Sequence, residues 1–334
     1  MGIHSLQYKY AKGRFTLPLV YFIFSFVWVA TTILAPEHPT ILSDHSPLWN
    51  KVLLGNIPWW LNQAIAYTLY ALVSYSLVQL NNQYTIVTQR ATIQSSLFLL
   101  SIAVIPALQV LSPGLMVALL TIIQTFLLFE SYQDSDSMLL QFYTGAISAV
   151  LFLLIPKILF LLPLLYLTKI AFNNLNIHTF LASLLGFSLP LWFLFGHAVW
   201  HDQLSLFYEP FMNLSNWHFI WSDLMSLDVS ILASYMFLSL CTLLSSLYLL
   251  FASVKLRVRT RQILNHFLRI SLGITLLIAL DPSLFLGLSP LWIICISFTY
   301  GHALISVQTK LTNYIFILVL VSLIALFSLN LWML

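Results

Sequence analysis

Charge is what this sequence has least of: 7% of its 334 residues are Asp, Glu, Lys or Arg, while 60% are hydrophobic. A water-soluble domain of this size could not cover its surface with so few polar groups. Cysteine is nearly absent. The two present, Cys241 and Cys295, lie inside apolar stretches, and no CxxC occurs, so neither a disulfide framework nor a thiol redox motif is available. Glycine is scarce, at 10 residues, and none of it forms a nucleotide-binding loop. No low-complexity segment and no clear internal repeat stand out. With a formal net charge of +3 spread along the chain, no nucleic-acid partner is expected.

What is present is a series of long apolar runs. Phe15 to Leu34 carries no charge and is long enough to cross the ~30 Å hydrocarbon core of a bilayer as a helix. Turn residues divide the rest into further runs, giving expected spans near 15–34, 60–80, 92–111, 113–131, 138–155, 157–172, 178–197, 227–253, 263–281, 285–304 and 312–332. The expected fold is all-α. It is a single polytopic transmembrane bundle over 1–334 with about eleven helices and two longer outer loops, at 35–59 and 198–226, that carry interfacial segments. The first run has too long an apolar core, and no A-x-A site, for a cleaved signal peptide, so it is expected to remain as the first span.

Orientation follows from lysine and arginine, which stay on the cytoplasmic side during insertion. Lys9, Lys12 and Arg14 place the N-terminus inside. Alternation then puts eleven of the 13 basic residues on that side, all but Lys51 and Lys157, and leaves the C-terminus outside. The segment 138–172 has two readings, one kinked helix or a hairpin turning at Pro156 and Lys157. The hairpin is preferred because it keeps Lys255, Arg257, Arg259 and Arg261 inside. Its arms are short, which makes it a candidate for lining a cavity.

Three sets of residues offer chemistry. The first outer loop holds Glu37 with His38 and Asp44 with His45, a supply of general bases in a chain with few polar groups, although a solvated loop has the same composition. The second holds Trp200, His201, Tyr208, Phe211 and Trp217, with His197 and His201 spaced i, i+4. The glutamate of an HExxH motif is missing, and neither a metal nor a cofactor is expected. Lys157 lies among apolar neighbours, where a lysine is costly unless it meets a phosphate or carboxylate, or snorkels to the headgroups. Asp281 before Pro282, and His302, read as helix-end residues. The cytoplasmic arginines suit anionic lipid headgroups, and whether they pair with Glu130, Asp134 and Asp136 is not visible in the sequence.

Asn81-Asn-Gln-Tyr84 leading to Arg90-Ala-Thr92, the short hairpin around Pro156, the turn Asn173-Asn174-Leu-Asn176 and the helix with Gly186-Phe187 together resemble an uncharacterised family of multi-pass inner-membrane proteins from Bacteroidota. That resemblance implies an inner-membrane location and no particular activity. In layout, with a cytoplasmic N-terminus, an acidic first outer loop and an interfacial segment after it, the chain also looks like polytopic glycosyltransferases that use polyprenyl-phosphate sugars. It departs from them in lacking a clear Asp-Asp or Asp-Glu pair just after the first span.

Three functions follow as expectations: a non-catalytic subunit or scaffold in envelope assembly or transport, an outer-face transferase using an isoprenoid- or phospholipid-linked donor, or a transporter. Membrane lipids, a lipid-linked substrate and other envelope proteins are the expected partners. If the transferase reading holds, Glu37 or Asp44 acts as base with His38, His45 or His201 assisting. Lys157 then holds phosphate, and Trp200, Tyr208, Phe211 and Trp217 wall the groove. The topology has a direct test. A single cysteine at Thr260 should resist a membrane-impermeant maleimide in intact cells and react once the membrane is opened; labelling from outside would overturn the orientation.

Overall fold

The computed structural model describes residues 10, 13, 15–34, 49, 58–87, 92–217, 229–252, 256–307 and 309–332. Among these the chain is helical throughout, with no strand. The helices are α1 (Thr16–Leu34), α2 (Trp59–Tyr84), α3 (Ile93–Val104), α4 (Pro113–Glu130), α5 (Met138–Leu154) and α6 (Leu162–Ala171), followed by α7 (Ile177–Trp200), α8 (Ser205–Ser215), α9 (Val229–Ala252), α10 (Val258–Leu280), α11 (Phe285–Ser306) and α12 (Lys310–Trp332). The count among the described residues is therefore twelve, not the expected eleven. The addition is α8, in the second long loop, where Leu206 and Pro210 are buried while Tyr208 and Met212 face outward.

Seven helices, α1, α4, α7, α9, α10, α11 and α12, are long and apolar enough to cross a membrane. The other four expected spans fall short of that standard for physical reasons. α2 is long but rich in Asn, Gln, Ser and Tyr, and α3, α5 and α6 are cut short beside prolines.

The cuts share one conformation. α3, α5 and α10 each stop one residue before a proline, at Ile105, Ile155 and Asp281, because a proline ring crowds the preceding residue out of the helical region. Those residues have φ/ψ of −113/89°, −137/97° and −145/94°. Each proline then opens a 3₁₀ turn (Pro106–Leu108, Pro156–Leu161 and Pro282–Leu284) that leads toward the next helix. A threefold recurrence is thus present where the sequence showed no clear repeat, since it lies in backbone geometry rather than in side-chain identity. The start of α11 is closely fitted to α4 and to the second break. A Cβ on Gly114, at the start of α4, would stand 2.6 Å from the Gly287 carbonyl of α11, and one on Gly287 would stand 2.9 Å from Ile155 Cδ1.

The chain reverses at Pro156. At the far end of the α5–α6 unit the Gln133 amide donates to the Phe172 carbonyl at 3.0 Å, Asn174 Nδ2 to Ser131 Oγ at 2.7 Å and Asn176 Nδ2 to the Ser135 carbonyl at 2.8 Å. Residues 131–138 and 172–176 therefore share one end of the bundle, as a hairpin requires. α7 starts there on a capping box, in which the Asn176 side chain accepts from the Thr179 amide and the Thr179 hydroxyl accepts from the Asn176 amide.

α11 is the axis of the fold, buried along most of its length and packed on α3, α4, α9 and α10. Its Trp292 donates to Thr242 Oγ1 at 2.9 Å, and Phe298 stacks on Phe267 at 4.5 Å between ring centroids. α1, α2 and α3 are joined instead by a polar seam. Tyr21 donates to Ser74, Ser74 bonds Ser95, Thr31 donates to Gln109, and Thr32 donates to Gln63. Between apolar helices such bonds supply the attraction that hydrophobic burial cannot provide in lipid.

α7 lies at the periphery, 17% buried, and is held chiefly by α5. Its crossing with α5 is so close that a Cβ on Gly145 would sit 2.0 Å from the Ser183 carbonyl, and one on Gly186 2.0 Å from the Phe142 carbonyl. Only glycine allows that approach, here at backbone atoms that cannot rotate away. Gly145→Ala or Gly186→Ala should therefore lower stability by about 2 kcal/mol or more through forced separation of the helices. Gly196→Ala on the same α7, where no atom lies within 4 Å of the added carbon, should leave the melting temperature unchanged or slightly raised. Melting curves of the purified variants check both.

Candidate functional site

The α5 break aims Lys157 inward rather than toward headgroups. It is 3% exposed, and its ammonium bonds Asp281 Oδ2 at the α10 break, which is 0% exposed. Asp281 Oδ1 accepts from the amide of Ser283 at 3.2 Å and from its hydroxyl, so the same carboxylate caps the 3₁₀ turn that follows. The Trp217 ring covers the ammonium with its centroid 5.3 Å from Nζ, and stacks against Phe160 at 5.0 Å. Removing two charges from water costs several kcal/mol each, which their mutual attraction, the Ser283 bonds to Asp281 and the Trp217 ring over Lys157 offset. This corrects two expectations. Lys157 does not snorkel, and Asp281 is more than a helix-end residue.

The second long loop is only partly gathered onto this site. Phe211 packs against Phe152 of α5 at 5.2 Å, and Trp217 reaches Lys157. Trp200 at 85% exposed, Tyr208 and His201 stay on the surface. The rings of His197 and His201 lie 4.4 Å apart, but no group of three metal-type ligands occurs among the described residues. Glu37, His38, Asp44 and His45 lie outside the described residues, as does Lys51. Trp49 is described and is buried, not exposed as an interfacial anchor would be.

At the opposite end Arg259 rests over Tyr84 and Tyr132 at 5.3 and 5.4 Å. The basic and acidic patches are thus brought together through aromatic rings, and no ion pair between them occurs among the described residues.

A second buried cation was counted in the sequence only as a topology marker. Lys169, 0% exposed, donates to Thr144 Oγ1 of α5 at 3.1 Å and to Ser183 Oγ of α7 at 3.0 Å, and lies over the Tyr166 ring at 4.8 Å. Among the described residues it has no carboxylate partner. The signal that could have found it is placement: a lysine three residues from the end of a short apolar helix faces either lipid or protein. A small crevice of about 40 Å³ lies apart from both cations, bounded by Leu151, Ile158, Leu162, Leu165, Ile270 and Leu291 with Thr121, Gln124 and Ser148.

The fold and these features define a helical bundle of membrane-protein type with proline-broken helices joined by a buried ion pair. Comparison of the chain with protein-family models, with curated proteins and with solved structures finds no match to any of them.

The ion pair predicts a non-additive cycle. Lys157→Met, which strands the carboxylate, and Asp281→Leu, which strands the ammonium, should each cost about 3–5 kcal/mol. The double variant should be closer to wild type than either single one, and additive losses in thermal unfolding would show the two groups are not coupled.

Proposed function

We propose that this chain is a multi-pass protein of the inner membrane, with N-terminus in the cytoplasm and C-terminus outside, that acts as a non-catalytic subunit or scaffold in cell-envelope assembly or transport. The observation that supports this reading is the pairing of a closely packed axis, α11, with a long apolar flank on α7. Leu185, Leu189, Trp192 and Phe193 are all exposed along that flank, while the helix itself is fixed rigidly to α5 by the glycine contacts. A rigid, featureless apolar surface suits lateral packing against another membrane helix better than it suits chemistry. Lys157, the cation best placed for catalysis, is already neutralised.

A transferase on the outer face is the second reading. It is favoured by Trp217 lying over Lys157, which puts one aromatic of the second loop beside the one cation that reading requires. Glu37, Asp44, His38 and His45 would supply the base there, and a carrier phosphate would have to displace Asp281. A transporter draws support from the same broken helices, whose ends meet at buried charges.

The subunit reading predicts that the wild-type chain, extracted in mild detergent, migrates on a native gel as a particle larger than its own mass. Replacing Leu185, Trp192 and Phe193 with alanine should return it to a single chain without lowering its melting temperature. A wild-type chain that runs alone would defeat the proposal.

A further inference from the structure

α10 carries a polar stripe on a side that the bundle leaves open. Arg261, Asn265 and Arg269 are spaced i, i+4, i+8 and all three are part-exposed. The same side of the helix continues into Leu272 and Leu276, both exposed, while Ile263, Phe267, Ile270 and Ile274 turn the opposite side into the core. α6 runs beside the stripe: Thr168 Oγ1 lies 3.1 Å from His266 Nδ1, and a Cβ on Gly273 would stand 2.6 Å from Leu164 Cδ1.

An arginine within an apolar span needs an acceptor, because its guanidinium cannot shed its charge. Here the protein supplies none. Neither Arg261 nor Arg269 has a carboxylate partner among the described residues, and Arg269 Nη1 is buried without a hydrogen bond. Arg259, on the same helix, is instead engaged by the Tyr84 and Tyr132 rings. Since the Arg269 side chain as a whole is part-exposed, an anion reaches it from the open side of α10 without entering the bundle.

We propose that this stripe binds one anionic membrane phospholipid. Arg261 meets its phosphate near the start of α10. Arg269 lies about 12 Å further along the axis, and side chains on a helix lean toward its N-terminus, so this guanidinium is directed back toward the same phosphate. One acyl chain then covers Leu272 and Leu276. The polarity agrees with a bilayer, since the cations lie toward the end of the bundle that holds Tyr84 and Tyr132, and the leucines lie deeper in the span. An acidic side chain on a partner helix would need the same cations but gives no reason for this gradient from charge to hydrocarbon along one face. The proposal rests on the membrane reading and not on the subunit reading, so a wild-type chain that runs alone on the native gel leaves it intact.

The test is thermal unfolding of the full chain in mild detergent with added phosphatidylglycerol, phosphatidylethanolamine or inorganic phosphate. Phosphatidylglycerol should raise the wild-type melting temperature by about 5 °C, and the other two should not. Arg269→Gln should lose that rise, whereas Lys310→Ala, which removes an exposed cation from another helix, should keep it. An equal rise with phosphatidylethanolamine, full retention in Arg269→Gln or equal loss in Lys310→Ala would overturn the site. A rise with inorganic phosphate as large as that with phosphatidylglycerol would assign the arginines to a free anion and overturn the lipid. No rise with phosphatidylglycerol, together with a smaller particle for Arg269→Gln than for wild type on the native gel, would give the stripe to a carboxylate on a partner helix and overturn it equally. Should Arg269→Gln fail to accumulate, Asn265→Glu keeps both cations and sets a carboxylate four residues from each: loss of the rise supports the site, and its retention overturns it.

Discussion

The contact between Lys157 and Asp281 is the constraint on which the broken helices of the bundle depend. It joins two helices at the points where both have been broken, so it replaces continuity that the backbone gave up at Pro156 and Pro282. In a membrane core every polar group released by a helix break needs a partner inside the protein. Asp281 meets that need for its own turn by accepting from Ser283, and Lys157 neutralises the charge this carboxylate brings with it. Trp217 closes the arrangement from above with a ring that tolerates both the cation and the surrounding hydrocarbon.

Once the breaks are fixed, the placement of α11 follows. It starts directly after the third break and meets α4 through backbone close enough that only glycine fits at 114, while Ile155 from the second break leaves no spare room at Gly287. The axis of the protein is therefore located by its contacts with the 106–108 turn, with Ile155 of the second break and with the 282–284 turn that precedes it. The α1–α2–α3 side is organised by other means, a seam of neutral hydrogen bonds. Such bonds hold helices in register without introducing charge, and each is worth on average about 0.6 kcal/mol in a membrane. Two assembly strategies thus meet at α3 and α11, one by charge at the breaks and one by hydroxyl and amide pairing along the helix faces.

The apolar runs were legible because long helices of low polarity write themselves directly into composition, and each of the eleven expected spans corresponds to a helix. The turn at Pro156 was legible as an alternative, from helix length and the position of the arginines. What composition could not carry was partnership. Asp281 lies 124 residues from Lys157, and nothing local to Asp281 distinguishes it from a carboxylate at an ordinary helix end. Ser74, Ser95 and Gln109 drew no attention, since hydroxyls and amides are common in apolar helices and gain meaning only from what faces them. The recurrence at 105, 155 and 281 escaped for a related reason: only proline is shared, and it is the extended residue before it that makes the three turns alike. α8 was missed as a helix because one short amphipathic turn after another in an aromatic loop has no long period to detect.

The direction of the charges at the breaks also has a physical logic. α5 and α10 bring their C-terminal ends together at the ion pair, and helix C-termini carry partial negative charge from carbonyls without intrahelical partners. Asp281 adds a full negative charge to the end of α10, where the dipole opposes it. A lysine is the residue type that reverses this balance, and Pro156 places one immediately after the α5 terminus, close enough to reach across to α10. An exchange of the two charges would retain the pair but put the ammonium on α10 and the carboxylate next to α5. The sum of charges would be the same, yet the Ser283 amide and hydroxyl would then face a donor instead of an acceptor. The orientation of the ion pair is thus set by the turn that follows Asp281, and the pairing itself by the need to neutralise a carboxylate placed among helix C-termini.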